Sequence, residues 1–348
     1  MSGVTRARTA LSARFNERWR TEIDDYVIAL AWSSDGALLA AASVSGTIRV
    51  FDGEMGSIRA TFPGHTMGTN AIDWHPDGTR LASIGQDGKA IIWNAKTSER
   101  LHVLPVGAHW GERALWSPKG DLLATAAGRI VRLWNGQGEQ VREFTDHAST
   151  VTDMAWKPGT DQIAVGAYGG AVIWKADKDQ PVRRLTWQGS TLRLCWSRDG
   201  SILTAGQQDS SIVFWDGRKP EPSMMWGYTT KVRELAWDRF SKYLATGGSE
   251  TVIVWKFGGK GPEGTKPIQL VGHQDLLTAL SFQHKGNILA SSAADGTVLA
   301  WLPGKQENPL DGLPGLSAVS HIVWSPDDRA LAIGDDQGVV VVANFVQK

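Results

Sequence analysis

Aromatic residues recur along this chain at a nearly fixed interval, and that period narrows the possible folds more than any other feature. Trp32, Trp74, Trp116, Trp156, Trp196, Trp237, Phe282 and Trp324 each stand just before a polar turn, with successive intervals of 42, 42, 40, 40, 41, 45 and 42 residues. Self-similarity at such a period signals a solenoid, a propeller or an array of repeats. Helical versions are excluded locally, because no stretch of about twelve residues keeps a 3.6-residue apolar period without meeting a glycine or a turn cluster.

Inside each period the order of signals is constant. A short apolar strand ends at the anchor, as in Val27 to Trp32, and a turn follows: Ser33-Ser34-Asp35-Gly36 in the first repeat, His75-Pro76-Asp77-Gly78 in the second. A strand of small residues comes next, such as Leu38 to Ala42 or Leu81 to Ile84. Tight turns follow, Asp87-Gly88 and Asp295-Gly296 among them. Asp-Gly between apolar runs favours a two-residue hairpin, because both positions tolerate positive φ. A third strand closes on Phe51, Trp93, Trp134, Trp174, Trp215, Trp255 or Trp301, and a more polar fourth strand, such as Ser57 to Phe62, leads to the next anchor. Of the 17 tryptophans, seven are anchors and six are third-strand closers, leaving only Trp19, Trp110, Trp187 and Trp226 outside the pattern. Four short strands per period, apolar near the middle on both faces, suit a small twisted sheet packed between two neighbours, which is a propeller blade.

The chain resembles the WD40-repeat family over nearly its whole length. Asp52 and Asp216 follow Phe51 and Trp215 as in the family's Trp-Asp dipeptide, and Gly64-His65 and Gly272-His273 match its Gly-His element. The resemblance implies a buried polar network joining that histidine, a second-strand Ser or Thr, the hairpin Asp and the third-strand Trp. Two repeats carry the whole set: His65, Ser83, Asp87 and Trp93, then His273, Ser291, Asp295 and Trp301. Two carry parts of it, His109 with Thr125 and Trp134, and His147 with Trp174. Repeats one, five, six and eight lack the histidine and are expected to depend on apolar packing.

Eight anchors predict an all-β chain folded as a single closed β-propeller of eight four-stranded blades; seven blades with one degenerate hairpin outside the ring is the alternative. The eighth repeat, in which Ala343 replaces the closing Trp and Gln337 the hairpin Asp, has no fourth strand of its own. Ala13 to Trp19 precedes the first blade without belonging to it, so it is expected to complete the last one and cover its edge. Residues 1–12 then read as an N-terminal tail and 13–348 as the propeller domain.

Composition adds exclusions. Formal net charge is zero, which gives no sign of a nucleic-acid or membrane partner. Cys195 is the single cysteine, so neither a disulfide framework nor a CxxC metal site is available. Arginines at 6, 8, 14, 18 and 20 with no acid before Glu17 faintly resemble an organellar transit segment, but a solvated tail before a strand is the reading favoured here. The default location is cytoplasmic.

No catalytic, metal or cofactor site is expected. The chain has no HExxH and no close group of His and carboxylates, and the Gly-rich stretch FGGKGPEGTK from Phe257 to Lys266 lacks both the P-loop pattern and a following helix. It reads as a lengthened loop. Trp187 and Trp226 align with Phe62 at the end of the fourth strand, where packing would explain them, and Cys195 occupies a position for a small buried residue. Trp110, beside Glu112 and Arg113, is placed either as an exposed binding hot spot or as a residue folded against a neighbouring blade.

In the WD40 family the positions three and four residues before each anchor lie near the narrow end of the ring, where partners dock. Here those positions concentrate charge of both signs on repeats three to six. With Trp110 they give the expected partner-binding set: Glu112, Arg113, Asp153, Arg193, Arg233, Glu234 and, from the eighth repeat, His321. A mixed rim suits a protein of complementary charge, whereas a nucleic-acid groove would be uniformly basic. The expected function is therefore a non-catalytic scaffold, a monomeric ring that binds one or more proteins through one face. The alternative is a small-ligand, metal-binding or enzymatic propeller using the central channel, because a fold alone does not fix function.

Overall fold

The computed structural model describes residues 13–107, 110–219, 221–259 and 261–347. The proposed tail and His109 lie outside these residues. All regular structure described is strand, arranged as the repeats dictate. In repeat two, Thr69–Trp74, Arg80–Gly85, Lys89–Asn94 and Arg100–Pro105 pair antiparallel in chain order. The first strand lies inside the ring and the fourth on its rim.

Second strands are built from small residues for a packing reason. Leu38–Ser43, reading LLAAAS, and Leu122–Ala127, reading LLATAA, are buried almost throughout. Sheets pressed on both faces need thin side chains in the middle and larger ones at the margins. Among the described residues eight apolar clusters result, each filling the space between adjacent repeats. One joins Ala40, Val50 and Phe62 of repeat one to Trp74, Leu81 and Trp93 of repeat two. Phe62 stacks on Trp93 with ring centroids 4.9 Å apart.

The ring closes as the chain order requires. Ala13–Glu22 pairs antiparallel with Val339–Gln347, giving the last sheet its outer strand. Inner strands Val27–Trp32 and Val319–Trp324 lie side by side. The closing strand also grips the first repeat: the Trp19 indole N–H donates to the Gly53 carbonyl at 3.1 Å and Arg18 pairs with Glu54.

Among the described residues the ring has seven continuous hydrogen-bonded sheets, the number of the alternative reading, and eight four-strand repeats. Both counts hold because one sheet has six strands. In it Gln162–Lys175 runs through the hairpin glycines Gly169 and Gly170, both at positive φ, and supplies two strands of repeat four. Arg183–Trp196 is at once the fourth strand of repeat four and the first of repeat five. Elsewhere a loop separates these two strands; here Gly189, at φ 134°, carries the chain across.

The third-strand tryptophans show why blades need a polar core. In repeat two the Trp93 indole N–H donates to Ser83 Oγ at 2.8 Å, Ser83 Oγ lies 2.8 Å from His65 Nε2, and His65 Nδ1 lies 2.9 Å from Asp87. Burial lowers the His65 pKa, so a neutral ring donates from Nδ1 to the carboxylate and accepts at Nε2. Every donor in this four-residue relay then has an acceptor. Repeat seven inserts one member: His273 Nδ1 contacts Thr297 Oγ1 at 2.8 Å, and Thr297 donates to Asp295 at 2.6 Å. In repeat four Trp174 donates directly to His147 Nε2, and in repeat three Trp134 donates to Thr125.

Repeat six departs from the expectation that a repeat without the histidine depends more on apolar packing. Tyr228 stands nine residues before its anchor, the register of His65, His147 and His273. Its hydroxyl accepts the Trp255 indole N–H at 2.7 Å and lies 2.9 Å from Thr246 Oγ1. A phenol has replaced the imidazole with the network's logic intact.

Gly64 of the Gly-His element has a steric reason. A Cβ there would clash with the Gly46 carbonyl of the neighbouring hairpin. The Asp of the Trp-Asp dipeptide instead caps a turn, Asp52 accepting from the Glu54 and Met55 backbone N–H groups.

Candidate partner-binding end of the ring

First strands run from the loop entering each repeat towards the turn after the anchor. Entry loops and second-to-third-strand hairpins therefore share one end of the ring. This end opens on a cavity of about 800 Å³ at the mouth of the central channel. Glu112, Arg113, Arg193, Arg233, Glu234 and His321 all line it, so the structure brings these expected rim residues together.

Asp153 is different from the exposed rim acid expected. It is 2% exposed, accepts from Arg113 Nε and from the Leu194 backbone N–H at 2.9 and 2.8 Å, and lies 3.6 Å from Arg193 Nε. The cause is the free edge of each inner strand: Asp153 satisfies an N–H of the next blade while tying two arginines from either side. It organises the mouth from beneath. His321 also faces inward, and burial, with Arg193 and Arg113 adding to it, lowers its pKa to about 4. The ring is neutral near pH 7, and its Nδ1 is buried without a hydrogen-bond partner among the described residues. Glu234 carries no ion pair among the described residues, and burial raises its pKa.

Three positions four before an anchor are structural as well. Asn70 donates to Gly111 O at 2.9 Å, Thr152 to Thr191 O at 2.6 Å and Ser320 to Val27 O at 2.7 Å, each reaching the next blade.

Tryptophans outside the repeat pattern divide by exposure. Trp110 is 57% exposed at this end. Trp226 is 75% exposed, which overturns the packing role expected for it; it lies beyond the short strand Ser223–Met225, on the loop entering repeat six. Trp187 is packed between repeats four and five, as expected, with its indole N–H buried and unpaired among the described residues. Met67 and Leu276 on entry loops, and Tyr168 on a hairpin, are also exposed at the Trp110 end. Among the large exposed apolar side chains described, the opposite end holds Met55 and Phe240.

A second feature escaped the sequence reading. Five anchor indoles donate to the carbonyl that precedes the anchor of the previous blade: Trp32 to Val323, Trp74 to Ala31, Trp156 to Leu115, Trp196 to Ala155 and Trp324 to Ser281, at 2.9–3.2 Å. The anchors thus stitch blade to blade in addition to packing. Trp116 breaks the series. Its indole N–H is unpaired among the described residues, while its backbone N–H donates at 2.7 Å to Asp73, the residue before Trp74. Other repeats place Ala31, Leu115, Ala155, Cys195, Ala236, Ser281 and Val323 there; an acid in that company was the available signal.

Burial raises the Asp73 pKa to about 7, with the Trp116 and Trp74 N–H groups opposing the shift. A carboxyl protonated more readily in the folded state favours folding at low pH, and that contribution is lost as pH rises from about 4 to about 7. Asp73→Asn keeps an oxygen acceptor and removes the titration. We expect the variant to melt higher than the parent at pH 8 and equally at pH 4. The stabilisation at pH 8 has an upper bound of about 4 kcal/mol, read from paired thermal melts. A lower melting temperature at pH 8 would refute the assignment.

A closed ring of short antiparallel sheets, with Trp-Asp turns and indole-Ser-His networks, defines a WD-repeat β-propeller. Residues 26–260 match the family model described as IFT122 first beta-propeller, and residues 264–301 match that for the WD domain, G-beta repeat. The chain belongs to the family of the IFT122 first beta-propeller. Among curated proteins it is 26% identical over 164 residues to the WD40 repeat-containing protein HOS15 of Arabidopsis thaliana, covering 44% of this chain and 27% of that protein. It is 27% identical over 122 residues to a guanine nucleotide-binding protein subunit beta of Nicotiana tabacum, 32% of each chain. It is also 27% identical over 158 residues to Protein FIZZY-RELATED 3 of Arabidopsis thaliana, 43% of this chain and 33% of that one. These matches span a third or less of the curated relatives' length. The crystal structure of the computationally designed Ika8 protein superposes with a TM-score of 0.80, covering 93% of this chain and 97% of that one at 24% identity. That likeness concerns the fold.

Proposed function

We propose that the protein is a non-catalytic scaffold of the cytoplasm, a single ring that binds a protein partner on the end carrying the channel mouth. The observation that carries this reading is the sorting of exposed aromatics. Trp110, Tyr168 and Trp226 are exposed on loops and a hairpin of the same end as the channel mouth, outside its lining. Partly exposed tryptophan and tyrosine around charged groups are the composition of interface hot spots. Arg113, Arg193, Arg233, Glu112 and Glu234 supply the polar part of the surface, with Asp153 and His321 supporting it from below.

Quantitative affinity capture from native lysate tests the proposal. Trp110→Ala and Trp226→Ala together are expected to lower recovery of a stoichiometric partner at least tenfold. Met55→Ala with Phe240→Ala, on the opposite end, should leave recovery unchanged. The reverse pattern would place the interface on the other end.

A further inference from the structure

Resting on that reading, we propose that the channel mouth receives a carboxylate, an Asp or Glu side chain carried on the docked partner, with the Arg193 and Arg233 guanidinium groups as its receivers. Three guanidiniums, from Arg113, Arg193 and Arg233, open on one cavity. Asp153 faces two of them and no other carboxylate lies within salt-bridge distance of the three among the described residues. Asp153 engages the Nε atoms of Arg113 and Arg193, the latter at 3.6 Å, so the terminal nitrogens of Arg193 remain for a ligand. Arg233 is exposed and has no carboxylate partner among the described residues. Guanidinium presents a planar fork matched to carboxylate oxygens.

The field inside the cavity agrees. His321 and Glu234 line it without an ion pair of their own among the described residues, and the charges that act on them are arginines: Arg193 and Arg113 on His321, Arg233 and Arg193 on Glu234. Leu192, Leu235 and Ile322 add apolar lining beside the arginines, which strengthens a charge-assisted contact.

The full chain, titrated by NMR on the histidine side chains, supplies the test. The probe is the blocked peptide acetyl-(Glu)4-amide, against acetyl-(Gln)4-amide, acetyl-(Lys)4-amide and glutarate. The titratable and charged groups that line the cavity with His321 are Arg113, Arg193, Arg233, Glu112, Glu234 and Tyr26, and an anion among them offsets the arginines. We expect the glutamate peptide alone among the peptides to give a saturable shift of the His321 ring and to raise its pKa. Arg233→Gln, an exposed residue whose loss leaves the fold intact, should weaken this binding about tenfold, as should Arg193→Gln; Arg193→Lys should recover part of it.

Saturable binding of the lysine peptide in place of the glutamate peptide would overturn the proposal and make Glu234 the receiver. Binding of glutarate as tightly as the glutamate peptide would also overturn it, in favour of a small-molecule receptor. The two levels separate cleanly. If partner capture falls with the Trp110 and Trp226 changes but ignores Arg193→Gln and Arg233→Gln, the scaffold reading stands and the carboxylate is wrong. If capture ignores the tryptophans as well, both fall.

Discussion

Removal of residues 1–22 is expected to leave a chain that no longer folds to a soluble monomer at 37 °C. The strand Ala13–Glu22 pairs along its length with Val339–Gln347 and hides that edge from solvent. Its Phe15 ring lies 5.0 Å from Phe345 and 6.5 Å from Trp324, and Trp19 lies 5.7 Å from Phe51 of the first repeat. Truncating a buried Phe alone typically costs about 3–5 kcal/mol, and folded domains are stable by only about 5–15 kcal/mol. The truncation loses that residue, most of a second aromatic and a full ladder of hydrogen bonds, and exposes an apolar edge that pairs readily with other chains. Phe15→Ala should therefore melt well below the parent, and the truncated chain should elute as soluble aggregate on size exclusion. A synthetic peptide of residues 11–24, present during refolding, should restore part of the monomer peak. A truncated chain that melts with the parent would show that the ring is closed by the inner strands alone.

Ser83→Ala should destabilise the protein more than its single lost oxygen implies. Ser83 Oγ is the only acceptor of the Trp93 indole N–H among the described contacts and the partner of His65 Nε2, and all three residues are buried. An unsatisfied buried polar group costs about 1–3 kcal/mol, so two orphans give a loss of about 2–6 kcal/mol. Urea denaturation measures it. Threonine is the natural residue in the equivalent place of repeat three, where Thr125 accepts from Trp134, and Ser83→Thr should keep most of the stability. Repeat one uses Phe51 where repeat two uses Trp93. Adding Trp93→Phe to Ser83→Ala should accordingly cost less than the sum of the single changes, a coupling that a double-mutant cycle isolates. Strict additivity would mean that the indole and the hydroxyl do not act as one unit.

The fold was legible because each repeat states its strands and turns in the same order, so errors in one are corrected by the others. The network in repeat two was legible residue by residue. In repeat six it was hidden by chemistry: a search for imidazole passes over a phenol that accepts the same indole N–H. Register would have exposed it, since Tyr228 lies nine residues before Trp237 as His65 does before Trp74. Trp187, nine before Trp196, sits in the same register and its indole N–H finds no partner among the described residues.

The site was half legible. Spacing from the anchors collected the residues that line the channel mouth. It could not separate Arg233, which faces solvent, from Asp153, which is consumed by two arginines and a backbone N–H. That distinction depends on which inner-strand edge lies alongside, a fact of the ring and not of any one repeat. Trp226 was misplaced for a related reason: it stands past the end of its short outer strand, so alignment with Phe62 gave it a neighbour it does not have.

The closing strand carries a timing constraint. A ribosome delivers residues 13–22 some three hundred residues before their partners at 339–347. Through almost all of synthesis, that segment must stay unpaired while the growing arc keeps an open flank at each end. Nascent arcs on neighbouring ribosomes present the same segment and the same flanks to one another, and multidomain and repeat chains misassemble by such exchanges. Yield in a cell should therefore depend on how well the early segment is shielded during translation, independently of how stable the finished ring is.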